Sequence, residues 1–239
     1  MKKCNEPPAA AETYDPVAEE YAAVFDSIGL RVFEWPWIRR LVKKFRPRSL
    51  LDLGCGNGYL SKALQGMAPE LYALEPSSVM YSIAARALCG GVTLRQGAVE
   101  AMPFADGCFD MVVSLLSFRY MAWDRALDEI RRVLKEGGIF ILVDLFDGSF
   151  NPRYFHRYLS TWTAVRLLYI RNRDYRKKLR RLTENSAWQR MIAEHPRRNI
   201  AEAKEAVAQK FHVEKFRLLS AGLRGVTAGF VCRKKTAAG

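Results

Sequence analysis

Leu50-Leu51-Asp52-Leu53, a short apolar run, passes straight into Gly54-Cys55-Gly56-Asn57-Gly58. A run of that length and character suits a buried strand. Glycines at alternate positions behind it let the backbone turn sharply and approach a ligand with no Cβ in the way. The plain alternative is a tight strand-to-helix turn. The spacing is not G-x-x-x-x-G-K-[ST], so a nucleotide triphosphatase loop is rejected. The dinucleotide fingerprint G-x-G-x-x-G also fits poorly, because the third glycine follows the second by only two residues.

Around this turn the chain alternates. Tyr59 to Gln65 opens a helix, Leu71 to Leu74 is a second strand, and Ser77 to Leu88 is helical with Pro76-Ser77 suited to starting it. Val92 to Arg95 and Phe109 to Leu115 are further strands. Ala126 to Leu134 puts Leu127, Ile130, Val133 and Leu134 on one helical face, Gly137-Gly138 is expected to close that helix, and Ile139 to Val143 is a fifth strand. Such alternation predicts βαβ units and a mostly parallel sheet. Two last strands, Val213 to Leu219 and Val226 to Arg233, are joined so tightly that they must be antiparallel. Ahead of all this, residues 12 to 44 read as helical, with Pro36 expected to break the pattern. The expectation is an α/β fold: a doubly wound, seven-stranded sheet with an antiparallel edge hairpin and a helical cap inserted after strand five.

Glu75 strengthens the ligand reading of the turn. It ends the second strand, where an acid can accept two hydrogen bonds from a ribose diol. It also sits where a carboxylate would favour the start of a helix. Turn and acid together favour a nucleoside-binding site.

Charge and cysteines narrow the class. The 239 residues carry a net charge of +13, and the segment from Asn151 to Ile200 alone holds 13 Lys or Arg against three acids. Sequence-independent affinity for phosphate follows from such a patch, yet Ser114-Leu115-Leu116-Ser117 is not an Asn/Asp-Pro-Pro-Tyr/Phe run, and nucleic acid is not the expected partner. Five cysteines without a C-x-x-C pair and three scattered histidines (His156, His195, His212) predict neither a disulfide framework nor a metal. No apolar run reaches the roughly 18 residues of a membrane span. Met1-Lys2-Lys3-Cys4 has no apolar segment behind its lysines, and the expected location is cytoplasmic.

At this point the sequence resembles the class I S-adenosylmethionine-dependent methyltransferases of small-molecule type, among them the quinone-biosynthesis methyltransferases. Four segments carry the resemblance over roughly residues 10 to 145. They are Tyr14-Asp15-Pro16-Val17-Ala18-Glu19-Glu20-Tyr21, the turn from Asp52 to Gly58, Leu74-Glu75-Pro76, and a series from Gly97 through Met102-Pro103-Phe104 and Phe109-Asp110 to Arg132-Val133-Leu134-Lys135-Glu136-Gly137-Gly138. It implies a Rossmann-like core and S-adenosyl-L-methionine as cofactor. It also implies that Asp52, Gly54 and Gly56 line the methionine end, that Glu75 holds the ribose, and that Met80 packs near the adenine. The other cofactor-binding residues expected on this basis are Tyr14, Cys55, Gly58, Pro76, Val99, Glu100 and Ser114.

Two departures from the family pattern stand out. Ala98-Val99 precedes Glu100 where the family often has Asp-Ala, which removes the usual side-chain acceptor for the adenine amino group. Ser117-Phe118-Arg119-Tyr120 stands where Leu-His-His or Leu-His-Tyr is common, which exchanges a neutral base for a permanent cation. Tyr14, Tyr21, Arg119, Asp144 and Tyr175 are the candidates for a catalytic part.

The implied domains are a helical lid over 1–47, a cofactor-binding core over 48–147 and 200–239, and a basic aromatic cap over 148–199. The cap carries Tyr154, Phe155, Tyr158, Trp162, Tyr169, Tyr175 and Trp188. It reads as an aromatic lid for an anionic or flat small-molecule acceptor, as an amphipathic helix in peripheral contact with a membrane, or as a solvated face. The expected reaction is methyl transfer to a small molecule. The alternatives are a cyclase or lyase that consumes the aminobutyrate arm of the cofactor, as in azetidine-2-carboxylate formation, and methylation of a nucleic acid or a lipid quinone.

Overall fold

The computed structural model describes residues 14–148, 152–222 and 225–235. Residues 12 and 13 of the expected first helix, Cys4, and the tip of the last hairpin lie outside the described residues.

Seven strands make one sheet: β1 (Ser49–Leu53), β2 (Glu70–Glu75), β3 (Thr93–Gln96), β4 (Phe109–Leu115), β5 (Leu134–Phe146), β6 (Phe211–Gly222) and β7 (Gly225–Lys234). Their spatial order is β3-β2-β1-β4-β5-β7-β6. The first five run parallel, β7 is antiparallel to β5, and β6 is antiparallel to β7. The order reverses beside β1, which pairs Leu53 with Leu74 on one side and with Ser114 on the other. In open α/β sheets a ligand crevice forms outside the carboxyl ends of the strands at such a reversal.

Every residue of β1 is buried, which is why it reads as a continuous apolar run. Successive residues serve opposite faces. Leu51, Leu53, Val112, Phe140 and Leu142 meet Ala126, Leu127, Ile130 and Val133 of α5 (Trp123–Val133) and Ala203 and Val207 of α9 (Ile200–Lys210). On the other face Leu50, Met111, Val113, Ile141 and Val143 meet Trp37, Ile38, Leu41 and Val42 of α2 (Glu34–Phe45) and Leu60 and Leu64 of α3 (Tyr59–Leu64). Full burial of each such side chain contributes about 1.5–3 kcal/mol.

Two local expectations need correction. Pro36 does not break the N-terminal helix. It lies in the first turn of α2, where its missing N–H has no intrahelical partner to lose. The interruption falls earlier, between α1 (Ala18–Val24) and α2. Gly137-Gly138 do not close α5, which ends at Val133; they lie within β5, where the pairing with β4 slips between Phe109–Leu134 and Met111–Ile139. Gly137 takes a φ of 69° there, a left-handed conformation that glycine adopts at little cost.

Ser77 does start a helix: its hydroxyl accepts the Met80 N–H (3.1 Å) at the head of α4 (Ser78–Ala87). Between β5 and α9 come three more helices, α6 (Phe155–Arg171), α7 (Arg173–Glu184) and α8 (Ser186–Glu194). Val17 and Val24 from the N-terminal segment pack with Tyr175, Leu182 and Met191 from α7 and α8 in a separate apolar cluster.

Candidate active site

Asp52 is the last polar residue of β1 before the glycine turn. Leu53 hands over to Gly54, and the Gly54 and Cys55 N–H groups both donate to the Leu74 carbonyl (2.9 and 3.0 Å), which ties the turn to the end of β2. Gly54 takes a φ of 69°, and a Cβ built there would come within 2.7 Å of the Ser117 Cβ. Glycine is required here by both conformation and space. At Gly56, φ 56°, nothing lies within 4 Å of such a Cβ. The space beside it is open.

That space is a cleft of about 770 Å³, partly continuous with solvent, at the carboxyl ends of β1, β2 and β4. Glu75 reaches into it from β2. One carboxylate oxygen accepts the Gly56 N–H (2.8 Å) and the other the Ser77 N–H (3.0 Å), which leaves each oxygen a further lone pair. Burial pushes the Glu75 carboxyl up to about 7, against the opposing pull of those two N–H groups. Asp52 is likewise raised to about 7 by burial, although the Ser61 hydroxyl donates to it at 2.5 Å.

The opposite wall comes from the end of β4. Leu116 takes a φ of 58°, uncommon for a residue with a Cβ, while its N–H donates to the Val143 carbonyl (2.8 Å). Ser117 follows and donates to the Leu53 carbonyl (3.1 Å). Over the mouth stand three tyrosines. Tyr14 meets Tyr120 edge-on at 4.9 Å between ring centroids and Tyr21 at 5.6 Å. Burial raises all three hydroxyls, so they stay protonated near neutrality. The N-terminal segment is fastened in two places: the Ser77 and Ser78 hydroxyls donate to Asp15, and Asn57 of the glycine turn donates to the Phe25 carbonyl (2.7 Å).

A family model described as a methyltransferase domain matches residues 51–142, a span that runs from within β1 into β5. Over 162 residues the chain is 30% identical to a demethylmenaquinone methyltransferase of Thermotoga maritima, with 64% of this chain and 70% of that protein covered. This chain belongs to the class I S-adenosylmethionine-dependent methyltransferases. S-adenosyl-L-methionine is therefore its cofactor.

Solved structures share the fold at low identity. The [4+2]-cyclase SpnF superposes with a TM-score of 0.66 at 16% identity, with 99% of this chain and 100% of that one covered. A geranyl diphosphate C-methyltransferase from Streptomyces coelicolor A3(2), solved with S-adenosyl-L-homocysteine, gives 0.55 at 16%, over 79% and 73%. The cradle in this methyltransferase fits such a cofactor by its own geometry. Gly54 and Gly56 put no Cβ into the cleft, and Glu75 is a buried carboxylate with acceptor capacity to spare.

Of the residues singled out from sequence, Tyr14, Tyr21, Asp52, Gly54, Cys55, Gly56, Glu75, Pro76, Met80, Val99 and Glu100 converge on this cleft. Glu100 spends one oxygen on the Ala122 N–H (2.9 Å) at the start of α5. The others stand behind it. A Cβ on Gly58 would press on Leu88, and Ser114 is fully buried with its hydroxyl 2.9 Å from that of Ser117. Arg119 points away from the cleft and donates to the Ile192 and His195 carbonyls at the end of α8. Asp144 accepts the Arg119 N–H (3.0 Å) and is raised to about 6 by burial. Tyr175 packs in the cluster between α1 and α7.

Sequence reading missed Tyr59, Leu116, Ser117, Tyr120 and Met121, which also line the cleft. Tyr59 carried a signal, since it follows Gly58 directly. It accepts a hydrogen bond from Arg31 Nε (3.2 Å). Nothing local distinguished Tyr120 from Arg119; only the turn at Phe118–Tyr120 decides which of them faces the cleft.

Proposed function

We propose that this methyltransferase transfers a methyl group to a small, flat and largely apolar acceptor held under the tyrosine lid. Glu75 would accept the ribose hydroxyls, and Met80, Leu74 and Val99 would pack about the adenine. Gly54, Gly56 and Asp52 would hold the methionine end, with Cys55 and Pro76 shaping the wall. The observation that carries the reading is the convergence of Glu75, the glycine turn and three tyrosines on one cleft.

S-adenosyl-L-methionine, when bound, supplies an activated methyl group with a good leaving group. The chain's own residues then have to align the acceptor, exclude water and favour the cation. Tyrosine faces attract a cation. Proximity and alignment contribute up to about 7–11 kcal/mol in favourable systems. Arg119 and Asp144 are engaged away from the cleft, and Asp52, Glu75 and Glu100, the carboxylates that line it among the described residues, are assigned here to the cofactor and to the start of α5, which leaves none of these for the acceptor. The acceptor must therefore bring its own nucleophilic atom, as a readily ionised hydroxyl or an electron-rich ring carbon does. A quinol has both and is flat. The Thermotoga relative supports this choice.

We further propose the division into a lid (1–47), a core (48–147 and 200–239) and a cap (148–199). The separate apolar cluster of Val17 and Val24 with Tyr175, Leu182 and Met191 supports it for the first part of the lid, whereas α2 at the lid's end packs on the sheet. A cytoplasmic location is supported by Cys55, Cys89, Cys108 and Cys232, all free thiols.

The test is incubation with S-adenosyl-L-methionine, alone and with a demethylated short-chain naphthoquinol, followed by mass spectrometry. Methylated quinol with S-adenosyl-L-homocysteine supports the reading. Methylthioadenosine built up without acceptor means that the aminobutyrate arm is consumed, and methyl transfer is then wrong. An intact quinol beside a methylated anionic acceptor such as geranyl diphosphate would overturn the acceptor class alone.

A further inference from the structure

Helix α6 has one face spent on the fold. Arg157 donates to the Leu219 carbonyl (3.2 Å), Thr161 accepts the Ala221 N–H (3.2 Å), and Leu168 and Tyr169 join the lid cluster. Its other face is exposed among the described residues. Phe155, Leu159, Trp162 and Ile170 are 61%, 52%, 57% and 70% exposed. Their spacing of four, three and eight residues puts them in one stripe, about 22 Å long at 1.5 Å per residue. Core packing does not account for four large exposed apolar side chains in line.

Charge says what would cover them. Arg166 lies within the stripe, its guanidinium 4.9 Å over the Trp162 ring. The next helix, α7, exposes Arg176, Lys177, Lys178, Arg180 and Arg181. A second copy of so basic a segment would repel the first. The stripe is the convex side of a helix and not a groove, so a soft planar medium suits it better than a folded partner. Trp favours the boundary between water and hydrocarbon, and long basic side chains reach from there to headgroups. Among the described residues no helix is long and apolar enough to cross a membrane, so α6 would lie along the surface.

We propose that α6 docks this methyltransferase on an anionic lipid surface, with Phe155, Leu159, Trp162 and Ile170 in the headgroup layer and the α7 cations against lipid phosphates. The proposal stands whichever acceptor the cleft takes. It also explains the concentration of positive charge in residues 151–200, which the cofactor site does not use.

Vesicle flotation tests it, with phosphatidylcholine alone and phosphatidylcholine mixed with phosphatidylglycerol. The wild-type chain should float with the mixed vesicles, less with phosphatidylcholine alone, and less as salt rises. The double variant Leu159→Gln, Trp162→Gln should lose at least about tenfold in partitioning. Both positions are exposed, so its circular dichroism and cofactor affinity should match wild type. Lys177→Glu with Lys178→Glu should remove the preference for anionic lipid. A wild-type chain that stays in solution with mixed vesicles overturns the proposal, as does a double variant that floats equally well. Sedimentation velocity showing a dimer that the double variant dissolves would give the face to a second copy. An acidic carrier protein bound through α6 without vesicle binding would likewise replace the lipid.

Discussion

The two walls of the cleft are built differently. The β1–α3 turn and the end of β2 form a wall of backbone N–H groups and buried carboxylates, each hydrogen-bonded within a few residues of a strand end. The tyrosine wall has ring contacts of 4.9 and 5.6 Å and is fastened by Asp15 and Asn57. Directional bonds in a buried place hold a polar ligand in one pose and tolerate little change. Stacked rings exclude water and accept a range of shapes. Cofactor affinity should therefore reside in the first wall and acceptor handling in the second.

The strongest way to break this division is Gly54→Val. Its Cβ would collide with Ser117 at a φ that valine resists, so we expect loss of cofactor binding and about 3 kcal/mol or more of destabilisation, read by calorimetry and urea melts. If binding survives, the turn is not the cradle.

Glu75→Gln should come next. Two charge-assisted hydrogen bonds at roughly 1.5 kcal/mol each correspond to about a hundredfold weaker cofactor binding. The fold should persist, because Gln keeps an oxygen for one of the two N–H groups. Equal affinity would remove Glu75 from the site.

pH sharpens the same point, because stability and affinity should move in opposite directions. Glu75 and Asp52 keep their protons to about 7 in the folded chain, whereas unfolded carboxyls lose them near 4. Between those values the folded state binds more protons, so stability falls as pH rises. Cofactor hydroxyls and a sulfonium favour the ionised carboxylates, so affinity should rise over the same window, by up to about tenfold per unit for each group. Parallel slopes in urea titrations and calorimetry would contradict this.

On the tyrosine wall the effects should be smaller and kinetic. Tyr120→Ala removes the contacts with Tyr14 and with His195 (5.3 Å). We expect kcat/KM to fall about tenfold with cofactor affinity little changed, since truncated aromatics cost water exclusion and alignment first. Arg180→Ala, at an exposed pair with Glu184, should alter neither stability nor cofactor affinity in calorimetry and melts.

Much of the first wall is legible in the sequence. An apolar run, a glycine turn and an acid at the next strand end are neighbours in sequence because strand, turn and strand end must be neighbours in space. Strand periodicity placed all seven strands to within a few residues, except at β5. There Gly137-Gly138 looks like a helix stop but lies where β5 slips in register against β4, and a glycine at φ 69° suits both. Pro36 misled for a related reason: its cost depends on its place in the helix, and only the start of α2 at Glu34 makes it harmless.

The second wall was only half legible. Tyr14 and Tyr21 were named through the family pattern, whereas Tyr120 was passed over for Arg119. One turn of 3-10 helix sends the tyrosine inward and the arginine to α8, and residue type does not encode that direction. By itself the sequence determined the parallel sheet, the edge hairpin, the turn and its acid, because these depend on patterns a few residues long. The tertiary structure alone decided which residues close the cleft and which face of α6 stays bare. Those outcomes depend on contacts between segments 60 or more residues apart, such as Arg157 with Leu219 and Tyr21 with Trp188, which local periodicity does not record.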